Sequence, residues 1–193
     1  MALGRIGLFG GTFDPVHSAH VMVVRKALDE LKLDKLIIIP AACSPFKPEN
    51  PPSTKEVRLA LLNAAFDSVD GCEIDLQEVE RGGPSYAIDT VRSVARRFPE
   101  AELFYLIGAD HVPTLDLWRE ADELAKLVTF IAVPRLGEPK AEFPELFSGK
   151  YLEGKPIDIS SSEIRSLLKQ RKSVGHLVPQ AVDEKLIKLQ VYQ

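Results

Sequence analysis

The chain has 193 residues, a length that suits one domain, and its 45% hydrophobic and 27% charged residues are ordinary for a globular protein. A formal net charge of −4 argues against a broad basic face for duplex nucleic acid, so we expect no nucleic-acid partner. Two cysteines (Cys43 and Cys72) exclude a disulfide scaffold, and no apolar run approaches the ~20 residues of a membrane span, so we expect a cytoplasmic protein with no membrane contact.

Strands and helices are predicted to alternate along the chain. Short apolar, β-branched runs that end at glycine or proline predict strands, and apolar residues recurring at spacings of three and four predict helices. The predicted strands are Ile6–Gly10, Lys35–Pro40, Cys72–Asp75, Glu102–Gly108, Val128–Val133 and a late Ile157–Ile159. The predicted helices are one from His17 to Leu31, one over Leu59 to Ala65, one over Ile88 to Val94, Trp118 to Lys126, one over Ile164 to Leu168, and Gln180 to Leu189.

Three of these helices begin near a hydroxyl residue that can cap them. The segments Ser53–Glu56 and Ser160–Glu163 have the spacing of a capping box, and Ser85 follows a Gly-Gly-Pro turn. The segment from Pro134 to Pro156 shows no clear period, and we expect it to be irregular.

The alternation predicts an α/β fold, a Rossmann-like doubly wound parallel sheet with a small C-terminal helical part. We expect a single domain over residues 1–193, with residues 157–193 as the C-terminal helical subregion. Ligands of such sheets bind beyond the carboxyl ends of the strands, where the strand order reverses. An oligomer is possible, but its state cannot be read from the pattern.

The segment from Gly10 to His20 joins the first predicted strand to the first helix. Its two glycines let the backbone approach a ligand, and the helix start offers unpaired N–H groups to a phosphate. His17 and His20 are three residues apart, so each can donate to a phosphoryl oxygen, and a phosphate nearby would favour their protonated forms. The alternatives are a helix cap with two surface histidines, or a metal pair, although helical zinc pairs are usually four residues apart. The glycine turn between strand and helix favours the phosphate site.

Two further groups could bind parts of a nucleotide. Ser160, Ser161 and Ser162 begin a helix with Arg165 one turn on, which describes an anion cradle or, equally, an ordinary capping box with a surface arginine. Asp110 follows a strong strand, where its carboxylate could accept hydrogen bonds from ribose hydroxyls or cap a helix.

Three motifs, GGTFDPVHSAH at 10–20, IGAD at 107–110 and ISSSEIR at 159–165, resemble the nucleotidyltransferases of the HxGH superfamily. GTFDPVH, together with GPSY at 83–86 and the order GAD, Trp, VPR, most resembles the bacterial nicotinate-nucleotide adenylyltransferases. The resemblance covers nearly the whole chain. It departs at Ala19, where the family usually has glycine, and at Ala87, where it usually has threonine, which removes a hydroxyl near the expected pyridine site.

The resemblance implies adenylyl transfer from ATP to nicotinate mononucleotide in NAD biosynthesis, with Mg²⁺ carried by ATP. It implies catalytic roles for His17, His20 and Arg165. The residues it implies for ATP are Gly10, Gly11, Thr12, Phe13, Gly108, Asp110, Ile159, Ser160, Ser161 and Ser162. Those it implies for the mononucleotide are Lys47, Ser85, Tyr86, Ala87, Trp118 and Arg135, with the Trp118 ring stacked on the nicotinate and Lys47 and Arg135 on phosphate. Arg119 stands where relatives often place an aromatic residue.

Several other functions stay open on the sequence. Another superfamily member would transfer an adenylyl or cytidylyl group to phosphopantetheine or nicotinamide mononucleotide. A non-catalytic nucleotide-binding protein could have kept the fold, and a zinc hydrolase could use His17 and His20. The choice between nicotinate and nicotinamide mononucleotide depends on main-chain donors that leave no trace in the sequence.

Overall fold

Six parallel strands form one sheet in the computed structural model, which describes residues 4–43, 52–137, 140–154 and 158–192. The strands are β1 (Arg5–Gly11), β2 (Lys35–Pro40), β3 (Cys72–Ile74), β4 (Glu102–Gly108), β5 (Thr129–Val133) and β6 (Gly149–Tyr151). The helices are α1 (Ser18–Glu30), α2 (Lys55–Phe66), α3 (Gln77–Arg81), α4 (Ala87–Arg97), α5 (Ala121–Leu127), α6 (Ser161–Lys169) and α7 (Gln180–Leu189), and a 3₁₀ helix covers Ala109–Leu117.

The strand order is β3-β2-β1-β4-β5-β6, so the order reverses between β1 and β4. Every strand pairs in parallel with its neighbours, and β1 runs beside both β2 and β4. The predicted α/β fold with a doubly wound parallel sheet is therefore confirmed. The reversal brings the carboxyl ends of β1 and β4 together, which is where a ligand site is expected.

Two apolar clusters cover the two faces of the sheet. Alternate residues of β2 face opposite sides, Leu36 and Ile38 into one cluster and Ile37 and Ile39 into the other. Helices α1, α2, α6 and α7 contribute to the first cluster, and α4 and α5 contribute to the second. Because each fully buried aliphatic side chain stabilises the fold by roughly 1.5–3 kcal/mol, both faces need their helices.

The sixth strand is not where the sequence pattern predicted it. The structure has Gly149–Tyr151 as β6, inside the segment expected to be irregular, whereas Asp158 and Ile159 are not in a strand and Ile157 lies outside the described residues. A three-residue edge strand with glycine and lysine at its start carries too few apolar residues to show a period.

The helix predicted from Trp118 to Lys126 begins later, at Ala121. The residues before it form the 3₁₀ helix, which contains Pro113, and Trp118 itself is extended. Glu120 then takes a left-handed conformation with φ of 53°, which separates the two helical segments.

Two predicted caps were also wrong by one residue. Thr54, not Ser53, caps α2 by accepting from the Val57 N–H at 3.5 Å. Tyr86 occupies the cap of α4, and the Ser85 hydroxyl instead accepts from the Ala42 N–H at 2.9 Å, which joins two loops. The predicted Ser160 cap of α6 is confirmed.

None of the helices in the described ranges is long and apolar enough to cross a membrane.

Candidate active site

A cleft of about 1530 Å³ opens at the carboxyl ends of β1 and β4, where the strand order reverses. Every site residue predicted from the sequence lines this cleft except Lys47, which lies outside the described residues. These residues are Gly10, Gly11, Thr12, Phe13, His17, His20, Ser85, Tyr86, Ala87, Gly108, Asp110, Trp118, Arg135, Ile159, Ser160, Ser161, Ser162 and Arg165. The fold thus brings together segments that are up to 155 residues apart in the chain, from Gly10 to Arg165.

The glycine turn, Gly10 and Gly11 at the end of β1, packs closely against Tyr105 and Phe13. A Cβ on Gly10 would lie 2.9 Å from the Tyr105 hydroxyl oxygen, and one on Gly11 would lie 3.2 Å from the Phe13 ring. Phe13 is buried and has a φ of 48°, so the chain turns sharply there before α1 begins. Glycine at position 10 therefore leaves room for the tyrosine beneath the turn.

His17 and His20 lie against each other at the start of α1. Their ring centroids are 3.7 Å apart, with 22° between the planes, so the rings are stacked. The His17 backbone N–H donates to Nδ1 of His20 at 3.2 Å. Since Nδ1 accepts, the neutral His20 ring carries its proton on Nε2, which is then a hydrogen-bond donor. Nδ1 of His17 is buried and has no hydrogen-bond partner among the described residues.

Burial keeps both imidazoles neutral in the free protein. The pKa of His17 is lowered from 6.5 to about 4, mainly by burial and then by the charge of Arg135. The pKa of His20 is also lowered well below 6.5, by burial, by His17 and by Arg135. Without a bound anion, the two rings are therefore not cationic near neutral pH, because burial removes the water that would stabilise their charged forms.

The start of α6 is attached directly to the glycine turn. The Ser161 hydroxyl donates to the Pro15 carbonyl at 2.8 Å, and Nη1 of Arg165 donates to the Asp14 carbonyl at 2.6 Å. Nη2 of Arg165 also lies 3.2 Å from the Ser162 hydroxyl. These contacts hold two helix N-termini, those of α1 and α6, at one side of the cleft, where both favour an anion.

Asp110 and Arg135 are paired across the ends of β4 and β5. Nε of Arg135 lies 3.3 Å from Oδ1 of Asp110. A Cβ on Gly108 would come within 2.3 Å of that same oxygen, so glycine is required for the carboxylate to lie across the strand end. The charge of this arginine contributes to the lowered pKa values of His17 and His20.

One wall of the cleft, formed by Tyr86, Tyr105 and Trp118, is aromatic. The Trp118 ring meets Tyr105 and Phe130 edge to face, with centroids 6.3 and 6.1 Å apart. Tyr86 lies at the start of α4 on the same wall, and the Arg119 guanidinium carbon is 4.7 Å from its ring centroid. This wall can take a flat ring, because aromatic faces stack favourably on other rings.

Three residues that the sequence analysis did not single out organise this cleft. Arg58 is only 3% exposed and donates to the carbonyls of Thr12, Ala41 and Ser53 at 3.0, 2.6 and 3.1 Å. Its signal was available, because Arg58 falls on the apolar stripe of α2 with Leu61, Leu62 and Ala65.

The other two, Glu78 and Tyr192, gave no such signal. Glu78 is buried, and burial raises the pKa of its carboxyl group, which accepts from the hydroxyls of Thr90 and Ser85. Tyr192, near the end of the chain, donates its hydroxyl to Oδ1 of Asp14 at 2.6 Å. Both contacts join segments that are distant along the chain, so no local pattern reveals them.

Comparison with known proteins agrees with this geometry. A family model described as cytidylyltransferase-like matches residues 8–167. A Gemmatimonas aurantiaca protein named probable nicotinate-nucleotide adenylyltransferase is 42% identical over 185 residues, which are 92% of this chain and 87% of that protein. A Thermus thermophilus protein of the same name is 37% identical over 98% of this chain and 100% of its own length. The chain belongs to the nicotinate-nucleotide adenylyltransferase family.

Solved structures show the same fold. A Plasmodium falciparum nicotinic acid mononucleotide adenylyltransferase complexed with NaAD superimposes with a TM-score of 0.81, at 18% identity, over 98% of this chain and 97% of that one. The same enzyme complexed with APC gives a TM-score of 0.78 at 19% identity, with the same coverage of both chains. The solved structures thus agree in fold, and the sequence relatives confirm the family resemblance stated from the motifs.

The zinc alternative lacks ligands in the described part of this adenylyltransferase. No group of three or more His, Cys, Asp or Glu side chains there could hold a metal ion. His17 and His20 are also held ring against ring, an arrangement in which both cannot direct a nitrogen at one tetrahedral ion without repacking.

Proposed function

We propose that the protein transfers the adenylyl group of ATP to nicotinate mononucleotide, forming nicotinate adenine dinucleotide and pyrophosphate in NAD biosynthesis. One observation carries this proposal beyond the family relationship. The serine-rich start of α6 is hydrogen-bonded to the turn that leads into the histidine pair of α1, and the aromatic side chains of Tyr86 and Trp118 line the same cleft. A triphosphate and a ring-bearing acceptor would therefore bind side by side.

The reaction needs positioning more than proton transfer. An oxygen of the mononucleotide phosphate attacks the α-phosphorus of ATP in line, a new P–O bond forms, and the bond from the α-phosphorus to the bridging oxygen breaks. The electron pair of that bond leaves with pyrophosphate. Because the attacking group is already an anion, no activated serine, cysteine or general base is required.

His17 and His20 serve the triphosphate in this proposal. In the free protein they are neutral, and Nε2 of His20 is a donor that can bond a phosphoryl oxygen. When the polyanion enters, its negative charge raises the pKa of both rings. Arg165, fixed to the glycine turn by its bond to the Asp14 carbonyl, adds a permanent positive charge.

The other ATP contacts follow from the walls of the cleft. Gly10, Gly11 and Thr12 offer backbone to the phosphates, and the N-terminus of α6 at Ser160–Ser162 offers N–H groups and hydroxyls. Phe13, Gly108, Asp110 and Ile159 lie where the nucleoside of ATP would pass, with Asp110 as acceptor for ribose hydroxyls.

The acceptor would occupy the aromatic side. Trp118 would stack on the pyridine ring, and Ser85, Tyr86 and Ala87 at the start of α4 would bound its far edge. Arg135 would contact the mononucleotide phosphate, and we assign Lys47 the same role on the strength of the motif alone.

Mg²⁺ enters the proposal as part of the substrate. It keeps several waters and binds mainly through phosphate oxygens, so Mg²⁺ bound to the triphosphate needs no all-protein cage. Omission of Mg²⁺, with EDTA present, should therefore abolish turnover, and adding the ion back with ATP should restore it.

An acceptor panel tests the function. The purified protein is incubated with Mg²⁺ and either ATP or CTP, together with nicotinate mononucleotide, nicotinamide mononucleotide or phosphopantetheine, and pyrophosphate and product are measured. We expect the highest kcat/KM with ATP and nicotinate mononucleotide. A higher value with phosphopantetheine or with CTP would replace the proposal, as would thermal stabilisation by ATP without pyrophosphate from any acceptor.

A further inference from the structure

Arg119 places a cation on the aromatic wall of the cleft. It follows Trp118, lines the cleft, and holds its guanidinium carbon 4.7 Å from the centroid of the Tyr86 ring. Stacking on an aromatic face leaves the N–H donors at the edge of the guanidinium plane available to a ligand. Position 119 therefore carries a positive charge, whereas an aromatic residue at this position would add only an uncharged flat surface.

The carboxylates near Arg119 do not take up its donors. Oδ2 of Asp89 lies 3.9 Å from Nη1, and Oε1 of Glu120 lies 3.5 Å from Nε, both longer than a normal N–H···O hydrogen bond of about 2.7–3.2 Å. Glu120 makes a much closer contact with Arg92. Arg119 is thus loosely tethered, with 52% of its side chain exposed.

The two side chains at the start of α4 nearest to Tyr86 supply little for a carboxylate. Ala87 has no polar side-chain atom, and the Ser85 hydroxyl already accepts from the Ala42 N–H and bonds Glu78. A negatively charged group bound beside Trp118 would therefore find its charged partner in Arg119.

The two pyridine mononucleotides differ in charge at this point. In both, the ring nitrogen carries the ribose and is a pyridinium cation. Nicotinate adds a carboxylate that neutralises the ring, whereas nicotinamide leaves it positive. An arginine beside the ring attracts the first and repels the second, so one residue can both favour the right acceptor and disfavour the wrong one.

We propose that Arg119 is a specificity-determining residue that selects the acid form of the mononucleotide over the amide form. This inference rests on the proposed function, since it needs the pyridine ring beside Trp118. It adds to that function a discrimination that comes from charge and does not depend on the hydroxyl that is absent at position 87.

Steady-state kinetics with both mononucleotides test this inference. We compare wild type, Arg119→Gln, Arg119→Lys and a matched control, Arg96→Gln, an exposed arginine of α4 that bonds only the Arg92 carbonyl among the described contacts and does not line the cleft. Arg119→Gln should lower kcat/KM for nicotinate mononucleotide about tenfold, the lower end of the range for a hydrogen bond to a charged group, because the site is half exposed.

The ratio of the two kcat/KM values is the decisive quantity. The ratio of nicotinate to nicotinamide mononucleotide should fall about tenfold in Arg119→Gln. It should fall less in Arg119→Lys, which keeps the charge, and stay unchanged in Arg96→Gln. The KM for ATP should not change in any variant, which separates a change in selectivity from general damage. An unchanged ratio in a folded Arg119→Gln protein overturns the inference and leaves the function intact. Failure of the wild type to use nicotinate mononucleotide would instead overturn the function.

Discussion

At the scale of single residues, burial decides the chemistry of the two imidazoles. His17 and His20 stack on each other, His17 buried and His20 half-buried, and this packing lowers both pKa values. Two neutral rings can be packed face to face without repulsion, whereas two imidazolium ions could not. The free protein thus keeps both rings neutral near neutral pH.

The contribution of His20 can be measured by its removal. By analogy with the loss of an oxyanion-hole donor, His20→Ala should reduce turnover by ~10²–10³. The control is His176→Ala, an exposed histidine outside the cleft. Turnover like that of the wild type in a folded His20→Ala protein would contradict the proposed role.

The lowered pKa of His17 predicts a pH dependence of stability. Between pH 6.5 and about 4 the unfolded chain binds a proton at this residue and the native protein does not, so the free energy of unfolding falls as pH falls through this window. This residue should account for a loss of about 2 kcal/mol between pH 7 and pH 5.

Urea unfolding at the two pH values gives the measurement. His17→Gln should lose less stability than the wild type on going from pH 7 to pH 5, whatever its stability at pH 7. His176→Gln, which removes an exposed histidine, should follow the wild type. Identical losses in His17→Gln and the wild type would show that the ring is not buried in its neutral form.

At the scale of elements, the glycine turn is shaped by parts of the chain that are remote from it. Arg58 of helix α2 donates hydrogen bonds to the carbonyls of Thr12, Ala41 and Ser53. Helix α6 fixes the turn from the other side through Ser161 and Arg165. The geometry of the turn therefore depends on how the helices pack.

Replacement of Arg58 should reveal this support. Arg58→Met keeps the length of the side chain but leaves three carbonyl groups without their donor, so the free energy of unfolding should fall by about 2–4 kcal/mol. Because the glycine turn loses its support, the KM for ATP should also rise. Denaturant unfolding and steady-state kinetics measure the two effects, with Arg96→Met as the exposed arginine control. Equal stability of the two variants would contradict the structural role of Arg58.

At the scale of the whole molecule, the last described residues contact the first turn. The Tyr192 hydroxyl donates to the Asp14 carboxylate, and the Ser53 N–H donates to the other oxygen of that carboxylate. Asp14 therefore joins the glycine turn, the start of α2 and the end of the chain. Apolar residues of α6 and α7 reinforce this closure, since they share one cluster with α1 and α2.

The hydrogen bond from Tyr192 to Asp14 predicts that a change near the end of the chain alters the KM for ATP. Tyr192→Phe removes one hydrogen bond to a charged group, so it should cost about 1–2 kcal/mol of stability and raise the KM for ATP severalfold. The matched control is Tyr151→Phe, which removes the hydroxyl that donates to the Ala141 carbonyl at 2.8 Å, away from the cleft. A similar loss of stability with no change in KM is expected there. An unchanged KM in Tyr192→Phe would show that the contact is structural only.

Local patterns in the sequence predict most of the fold and the candidate residues that line the cleft. Long apolar strands such as β2 and β4, and the glycine turn leading into α1, have local signals strong enough to predict their bounds and their order. The motifs indicate the family from the sequence alone, because the residues of each motif, such as those at 10–20 and 159–165, are close together in the chain. Weak local signals failed at β6 and at the start of α5, where three edge residues and a 3₁₀ turn carry no period.

The protonation state of these residues and the contacts that support them depend on the tertiary structure. The neutral state of the histidines comes from water excluded by packing, and the charge of Arg135 reaches them across the ends of different strands. The support of the glycine turn by Arg58 and Tyr192, and the stacking of Arg119 on Tyr86, likewise join segments far apart in the chain. Burial and electrostatic interaction depend on distance in space, so these properties exist only once the chain has folded.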